Sequence, residues 1–292
     1  MASEFSDRNK SSLLSLASET ICSELLKTSD ITNVPDCKYE IHRLGIHNLS
    51  KFLIGHLNIN SIRNKFEVFT TLLKGNLDII LLSETKIDDS FPTNQFLLDG
   101  YSTPYRLDRN CNGGGLLLYV REDIPSKKIK FVFPDPTFEG LFIEINLNKK
   151  RWLLGGSYNY HKSNISKHLE SISLFLDNKV ITYENILLIG DIYMEPNEEK
   201  MSEFMNNYNL KNLVNEKTCF KNPENPTCID LLITNAPRSF NNTTVFETGL
   251  SDFHKLTVTV LRKSFQKLVP RVTNYRCYKN FASDTFKTAI YG

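Results

Sequence analysis

Apolar residues in this chain gather in short unbroken runs, some of them separated by longer patterns at helical spacing. Phe52-Leu-Ile-Gly-His-Leu-Asn58 and Asp78-Ile-Ile-Leu-Leu-Ser83 read as buried strands. Gly113-Gly-Gly-Leu-Leu-Leu-Tyr-Val120 reads as another, entered through a flexible glycine run. Ile129 to Phe133, Leu141 to Leu147 and Trp152 to Tyr158 add three more, punctuated by Pro134, Pro136 and Asn148. Ile186 to Ile189 is apolar throughout and reads as a strand buried on both faces; Gly190 then allows a tight turn and Asp191 follows at once. Cys228 to Thr234 and His254 to Leu261 are the last strands, the second alternating polar and apolar residues as a half-exposed strand does. Helical spacing marks Ser61 to Lys74 through Ile62, Phe66, Phe69 and Leu73, with Gly75 as its stop. It marks Asn164 to Asp177 through Ile165, Leu169, Ile172 and Leu176, and a helix introduced by Pro196 through Met201, Phe204, Met205 and Tyr208.

So many strands with so few helices between them do not suit a doubly wound parallel sheet. They predict an α/β (α+β) fold with a mixed two-sheet core and helices outside. Residues 1–50 read as a peripheral extension, with one amphipathic helix over Leu13, Leu14, Leu16, Ala17, Ile21, Leu25 and Leu26. Residues 51–264 form the main domain, and the basic, irregular stretch 265–292 reads as a linker. There is no internal repeat.

Composition changes this picture little. A formal net charge of +2 over 292 residues gives no sign of a nucleic-acid patch. Cys22, Cys37, Cys111, Cys219, Cys228 and Cys277 are scattered without a CxxC pair, which argues against a zinc site and for reduced thiols. The N-terminus has no apolar signal core and no run approaches a membrane span, so the expectation is a soluble protein of the nucleus or cytoplasm without a membrane partner.

Polar residues recur at the ends of the buried runs: Asn58 and Asn60, Glu84, Tyr158, Asp191, Asp230 and Asp252. One such residue is usually a loop cap. A repeated set is a signal, because strand ends of one core converge. Converging oxygen donors are what Mg²⁺ requires, and no Cys/His cluster competes for a softer metal. Carboxylates, a metal and a phenol suit phosphodiester cleavage: the metal offsets phosphate charge, a carboxylate activates water and the phenol holds the phosphate.

In order, His56-Leu-Asn-Ile-Asn60, Leu82-Ser-Glu-Thr-Lys86, Gly113-Gly-Gly-Leu116, Ser157-Tyr-Asn159, Ile189-Gly-Asp191, Ile229-Asp-Leu231 and Leu250-Ser-Asp252 resemble the endonuclease/exonuclease/phosphatase superfamily. The resemblance runs from about Lys51 to Arg262. Leu57 to Phe66, Ser83 to Asp88, Phe220 to Asp230 and Thr248 to Asp252 look most like the apurinic-endonuclease-like domain of non-LTR (LINE-type) retrotransposons. The resemblance implies a four-layer α/β sandwich, two mixed sheets packed face to face, and Mg²⁺-dependent nicking of DNA that leaves a 3′-hydroxyl, with Mn²⁺ as a substitute ion. It implies Glu84 as the main metal ligand with Asn60 and Asp252 close to the ion, and Asn58 in the same polar shell. Tyr158 would contact the scissile phosphate, Asp191 would position and deprotonate the water, and Asp230 would orient a histidine. In such polyproteins a reverse transcriptase follows; this chain stops where that linker would begin, like a truncated copy.

Two positions depart from the family pattern. Tyr193 stands where relatives carry Asn, whose amide donates near the phosphate, and its ring threatens the space the phosphate needs. Phe253 separates Asp252 from His254. Neighbours on a strand face opposite ways, so His254 serves only if a bulge re-aims it. Some retroelement domains of this group share the Ser-Asp-Phe-His form. These departures leave an inactive descendant as an alternative to an active endonuclease, and a phosphatase or RNA exonuclease of the same superfamily as another. Of the other histidines, His42, His47 and His168 read as surface residues and His56 as a core residue, while His161 lies in the loop after Tyr158. Tyr160 replaces a proline frequent in relatives, which predicts a looser loop there.

Overall fold

The strands pair into two six-stranded mixed sheets, seen in a computed structural model that describes residues 37–264 apart from Val180 and Asn242. The helix expected over Leu13 to Leu26 and the linker 265–292 lie outside the described residues. Helix α1 (Cys37–His47) leads into β1 (Phe52–Asn58), α2 (Phe66–Leu73), β2 (Ile79–Ser83), β3 (Tyr105–Leu107) and β4 (Leu116–Val120). Then come β5 (Ser126–Lys128), β6 (Glu139–Leu147), β7 (Lys150–Tyr158), α3 (Ile165–Lys179), β8 (Asn185–Asp191) and α4 (Glu199–Asn207). Strands β9 (Lys211–Asn212), β10 (Asp230–Thr234), β11 (Thr244–Phe246) and β12 (Leu256–Leu261) finish the fold. One sheet has the order β11-β12-β1-β2-β4-β3 and the other β5-β6-β7-β8-β10-β9.

Period-two alternation assigns each strand residue to a layer. Phe52 and Ile54 of β1, Leu81 of β2 and Leu118 of β4 share a cluster with Leu141 and Ile143 of β6 and with Leu187 and Ile189 of β8. This is the layer between the sheets. Their neighbours Leu53, Leu57, Ile80, Leu82 and Tyr119 turn the other way, under Ile41 of α1 and Phe69 and Leu73 of α2. On the second sheet Phe142 stacks against Phe175 of α3, with ring centroids 3.9 Å apart. Both faces of both sheets are therefore covered, which explains the unbroken apolar runs.

Three sequence expectations need correction. Ile129 to Phe133 form no strand: β5 ends at Lys128, and the rings of Phe131 and Phe133 fold edge-on and tilted against Phe175, so their apolarity reflects aromatic burial rather than a ladder. The alternation of β12 does not mark exposure. Its six residues are all buried, because Thr257 and Thr259 face inward and donate their hydroxyls to the carbonyls of His56 and Asn241. Helix α1 lies in the stretch read as peripheral, yet Cys37, Ile41 and Leu44 at i, i+4, i+7 pack on the first sheet, with Ile41 fully buried.

His42 and His47 are exposed as read, but His168 is not. It lies on the sheet side of α3, 3.4 Å from the Ser157 hydroxyl and beside the Phe138 ring. Burial pushes its pKa down to about 3. A folded-state pKa below the unfolded value means stability present above pH 6.5 and lost as pH falls from there towards 3. The stability difference between the wild type and His168→Leu, measured by denaturant unfolding, is expected to shift against the wild type by roughly 1.4 kcal/mol per pH unit below 6.5. A pH-independent difference would contradict this burial.

Candidate active site

The same alternation that fills the layer between the sheets ends in polar residues at one edge of it. On β1 the inward series is Phe52, Ile54, His56, Asn58; on β7 it is Trp152, Leu154, Gly156, Tyr158; on β8 it is Leu187, Ile189, Asp191. Tyr158 pairs in register with Asp191, and Asp191 with Asp230, so three neighbouring strands present their polar ends side by side. Gly190 does not turn the chain as expected. It stays in the ladder at φ +152°, where any Cβ would strike the Ser157 carbonyl.

Hydrogen bonds tie the two sheets together here. Asn58 donates to Asp191 Oδ2 at 2.9 Å and to Glu84 Oε1 at 3.3 Å. Tyr158 donates its hydroxyl to the same Glu84 oxygen at 2.6 Å. The Asn60 amide donates to Asp252 Oδ2 at 2.5 Å, and Lys86 donates to Asn60 Oδ1 while lying 3.3 Å from Glu84 Oε2. Thus Glu84 and Asp191, far apart in sequence, line one cleft of about 690 Å³, and Asn60 on its wall ties Asp252 to them. Asn60, Ser61, Glu84, Lys86 and Tyr193 all carry positive φ, between 48° and 78°. Non-glycine residues rarely adopt this conformation, and its concentration at one cleft is the strain expected of a functional site. Backbone bonds hold it in place: Ser61 N to Glu84 O at 2.8 Å, and Lys86 N to Gly114 O at 2.9 Å.

His254 does reach the cleft. It is not in β12, which starts two residues later; the extra Phe253 lies in a bend and is 44% exposed. His254 Nδ1 is 2.9 Å from Asp230 Oδ2 and 3.9 Å from Asp191 Oδ2. The phase argument fails because the residue is paired across a short bridge to Cys219 instead of continuing the β12 ladder.

The charges follow from these contacts. Burial raises the Asp191 pKa, the nearby Asp230 charge adds to this, and His254 and the Asn58 bond only partly oppose it. Burial also works against the Asp230 charge, but His254 outweighs it and holds that carboxyl below its ordinary value. Burial works likewise against a charged His254, and Asp230 outweighs it, raising the imidazole pKa. Glu84 is held below the usual range, its burial overcome by the Tyr158 and Asn58 bonds and by Lys86. Burial and the Glu84 charge raise the Tyr158 pKa, so the phenol keeps its proton. His56 is buried and pushed down to about 4, chiefly by burial. At 3.6 Å its Nδ1 is too far from Asp230 Oδ1 for a direct hydrogen bond, so His254 answers the Asp230 charge.

Glu84, Asn60 and Asp252 offer hard oxygen donors at an open cleft, a set that suits Mg²⁺ or Mn²⁺ with several retained waters. The Lys86 ammonium among these oxygens shows that the pocket accommodates positive charge. Asp191, Asp230 and His254 also bring ligand atoms within 4.8 Å of one another. There, however, Nδ1 faces Asp230, and the Asp191 oxygens accept from Asn58 and from the Tyr193 backbone. That arrangement is a proton-handling chain before it is a metal cage.

Several neighbours were not singled out from sequence. Lys86 is the lysine of the quoted Ser-Glu-Thr-Lys motif, which was its available signal. Arg109 lies 6.0 Å from the Tyr158 ring centroid and 5.2 Å from that of Tyr160, and pairs with the buried Glu139 at 2.8 Å. That contact seats the half-exposed Tyr160 ring on the Arg109 guanidinium. Tyr193 leans its ring on His161, centroids 6.3 Å apart and nearly parallel.

Oxygen donors, a shielded carboxylate and a carboxylate-held imidazole meet at the end of a two-sheet α/β sandwich, an arrangement suited to phosphate-ester chemistry. The chain belongs to the Endonuclease/Exonuclease/phosphatase family, whose profile matches residues 55–252. It is similar in fold to an AP endonuclease from Archaeoglobus fulgidus, at 15% identity and TM-score 0.58, over 73% of this chain and 100% of that one. It is similar to the 3′ phosphatase NExo from Neisseria bound to a product DNA hairpin, at 15% and 0.58, over 73% and 100%. It is also similar to the endonuclease domain of TRAS1, a telomere-specific non-LTR retrotransposon, at 12% and 0.56, over 73% and 98%. Among curated proteins none matches the sequence. No helix among the described residues is long and apolar enough to cross a membrane.

Proposed function

We propose that this protein is a Mg²⁺-dependent DNA endonuclease of the non-LTR retrotransposon type, hydrolysing a phosphodiester to leave a 3′-hydroxyl. In longer relatives of this type a reverse transcriptase domain would accompany it. The observation that carries the reading is the Asn58 bridge, which fixes the acid read as metal ligand, Glu84, beside the acid read as base, Asp191. A bound Mg²⁺ or Mn²⁺ would supply charge neutralisation at the phosphate, held by Glu84 with Asn60 and Asp252. Asp191, its pKa raised by burial, takes a proton from water near neutrality. Asp230 holds the His254 imidazole cationic and oriented, leaving Nε2 to donate to a phosphate oxygen. Tyr158 keeps its proton; its single O–H, which donates to Glu84 here, would turn to the phosphate once Glu84 holds the ion. Lys162, Lys221, Asn222 and Asn225 line the same cleft and suit a sugar–phosphate strand.

The test is conversion of supercoiled plasmid to open circles with Mg²⁺, the new ends being extendable by a DNA polymerase and the reaction abolished by EDTA. Release of phosphate from a 3′-phosphorylated oligonucleotide without plasmid nicking would favour the phosphatase alternative. Shortening of single-stranded RNA alone would favour the exonuclease.

Tyr193 favours a second reading, reduced or lost activity. Its backbone sits at φ +59°, a conformation Asn adopts more readily than a bulky aromatic residue, and it brings no side-chain amide to the phosphate. Tyr193→Asn is expected to raise the nicking rate by about 10²-fold, the size of one transition-state donor. A variant no faster than the wild type would show that the Tyr193 hydroxyl already serves.

A further inference from the structure

One side chain lining the cleft, Cys219, is left without a role by the phosphodiester reading. Cys219 and His254 face each other across a short antiparallel bridge. Phe220 N donates to Phe253 O and Lys255 N to Thr218 O, both at 2.8 Å, which makes Cys219 and His254 a non-hydrogen-bonded pair. In such pairs the backbones approach most closely and the side chains meet. The Cys219 sulfur is 3.6 Å from His254 Nε2. The bridge sets this separation, with Cys219 held on its other side by reciprocal backbone bonds to Thr227 at 2.9 Å.

We infer that Cys219 Sγ and His254 Nε2 form a binding site for a thiophilic divalent cation of the Zn²⁺ class, distinct from the oxygen-lined site at Glu84. A tetrahedral zinc bound by one thiolate at about 2.3 Å and one imidazole at about 2.0–2.1 Å separates S and N by about 3.5–3.6 Å. The two donors already stand at that spacing. The second shell is also built: Asp230 accepts from Nδ1 at 2.9 Å, which orients the ring with Nε2 towards the sulfur. Both residues line the cleft, so the remaining coordination positions open to water. Binding exchanges two protons for the metal: the Cys219 S–H and the His254 Nε2–H bonds break, one S–metal and one N–metal bond form, and both protons go to solvent. An ion seated here ties up His254 Nε2, the atom the proposed reaction needs, so the site inhibits nicking.

The direct test needs no substrate. Metal-stripped full-length protein is titrated with Co²⁺ under reducing conditions and its absorption recorded. Wild type is expected to give a thiolate-to-cobalt charge-transfer band, bleached by stoichiometric Zn²⁺, with about two protons released per ion, one from each donor. Cys219→Ser and His254→Gln are expected to lose the band or weaken binding by at least about tenfold. Cys228→Ser, whose sulfur points to the Val214 carbonyl, is expected to keep it. No band in wild type, or a band that survives Cys219→Ser, overturns the proposal. These results are independent of whether the protein nicks DNA. If it does, Zn²⁺ inhibition in excess Mg²⁺ should be relieved in Cys219→Ser.

Discussion

Asp191→Asn is expected to lower the plasmid-nicking rate by about 10³-fold while leaving Mn²⁺ affinity within about twofold of wild type. The first half follows from the loss of a general base, whose removal typically costs 10²–10⁴ in rate. The second follows from position: Asp191 lies on the floor of the cleft, buried and bonded to Asn58, whereas the hard donors sit nearer solvent on other segments. The fold should tolerate the change. One of the two donors to Asp191 loses its acceptor, at about 1–3 kcal/mol, and removal of a buried charge beside Asp230 offsets part of that. The wild-type pH profile carries the same signature. Because burial raises the Asp191 pKa, the acid limb should lie well above the ordinary carboxylate range, rate rising as Asp191 deprotonates. A limb near pH 4, or an Asp191→Asn enzyme that nicks at the wild-type rate, would exclude Asp191 as the base.

The scaffold was legible where burial on both faces wrote itself as unbroken apolar runs, as in β1, β2 and β8. It was less legible where side chains solved their burial by other means. Thr257 and Thr259 look like solvent-facing alternation, but each satisfies its hydroxyl on a neighbouring carbonyl and stays inside. Phe131 and Phe133 read as strand because aromatic burial and ladder pairing leave the same mark in sequence. Short edge strands such as β3, β9 and β11 carry too few residues for a periodicity to show.

For the cleft, sequence order placed acids and amides at strand ends, and registers such as Tyr158 with Asp191 and Asp191 with Asp230 brought them together. What sequence did not contain was the reach of His254. A phase rule applies to residues inside a ladder, and His254 sits outside β12, aimed by its bridge to Cys219. The partner on that bridge is nine positions before Cys228 and thirty-five before His254, a separation no local pattern encodes. His168 failed for the opposite reason: one histidine on the apolar face of an amphipathic helix gives no sign in sequence of being neutral and buried.

Glu84→Gln should separate the metal's contribution from the base's. The glutamine carbonyl can still accept from Tyr158 and Asn58, so the bridge between the sheets survives. The side chain loses its charge, and its new amide faces the Lys86 ammonium where an oxygen stood 3.3 Å away. Donor now meets donor, and a hard divalent ion loses its anionic ligand. Mn²⁺ affinity by calorimetry is expected to fall by about 10–100-fold, and nicking at fixed Mg²⁺ by about 10²–10³-fold. Raising Mg²⁺ should recover part of the Glu84→Gln rate by mass action and none of the Asp191→Asn rate, since only the first defect lies in ion binding. An unchanged Mn²⁺ affinity in Glu84→Gln would remove Glu84 as the ligand and leave its bonds to Tyr158 and Asn58 as purely structural.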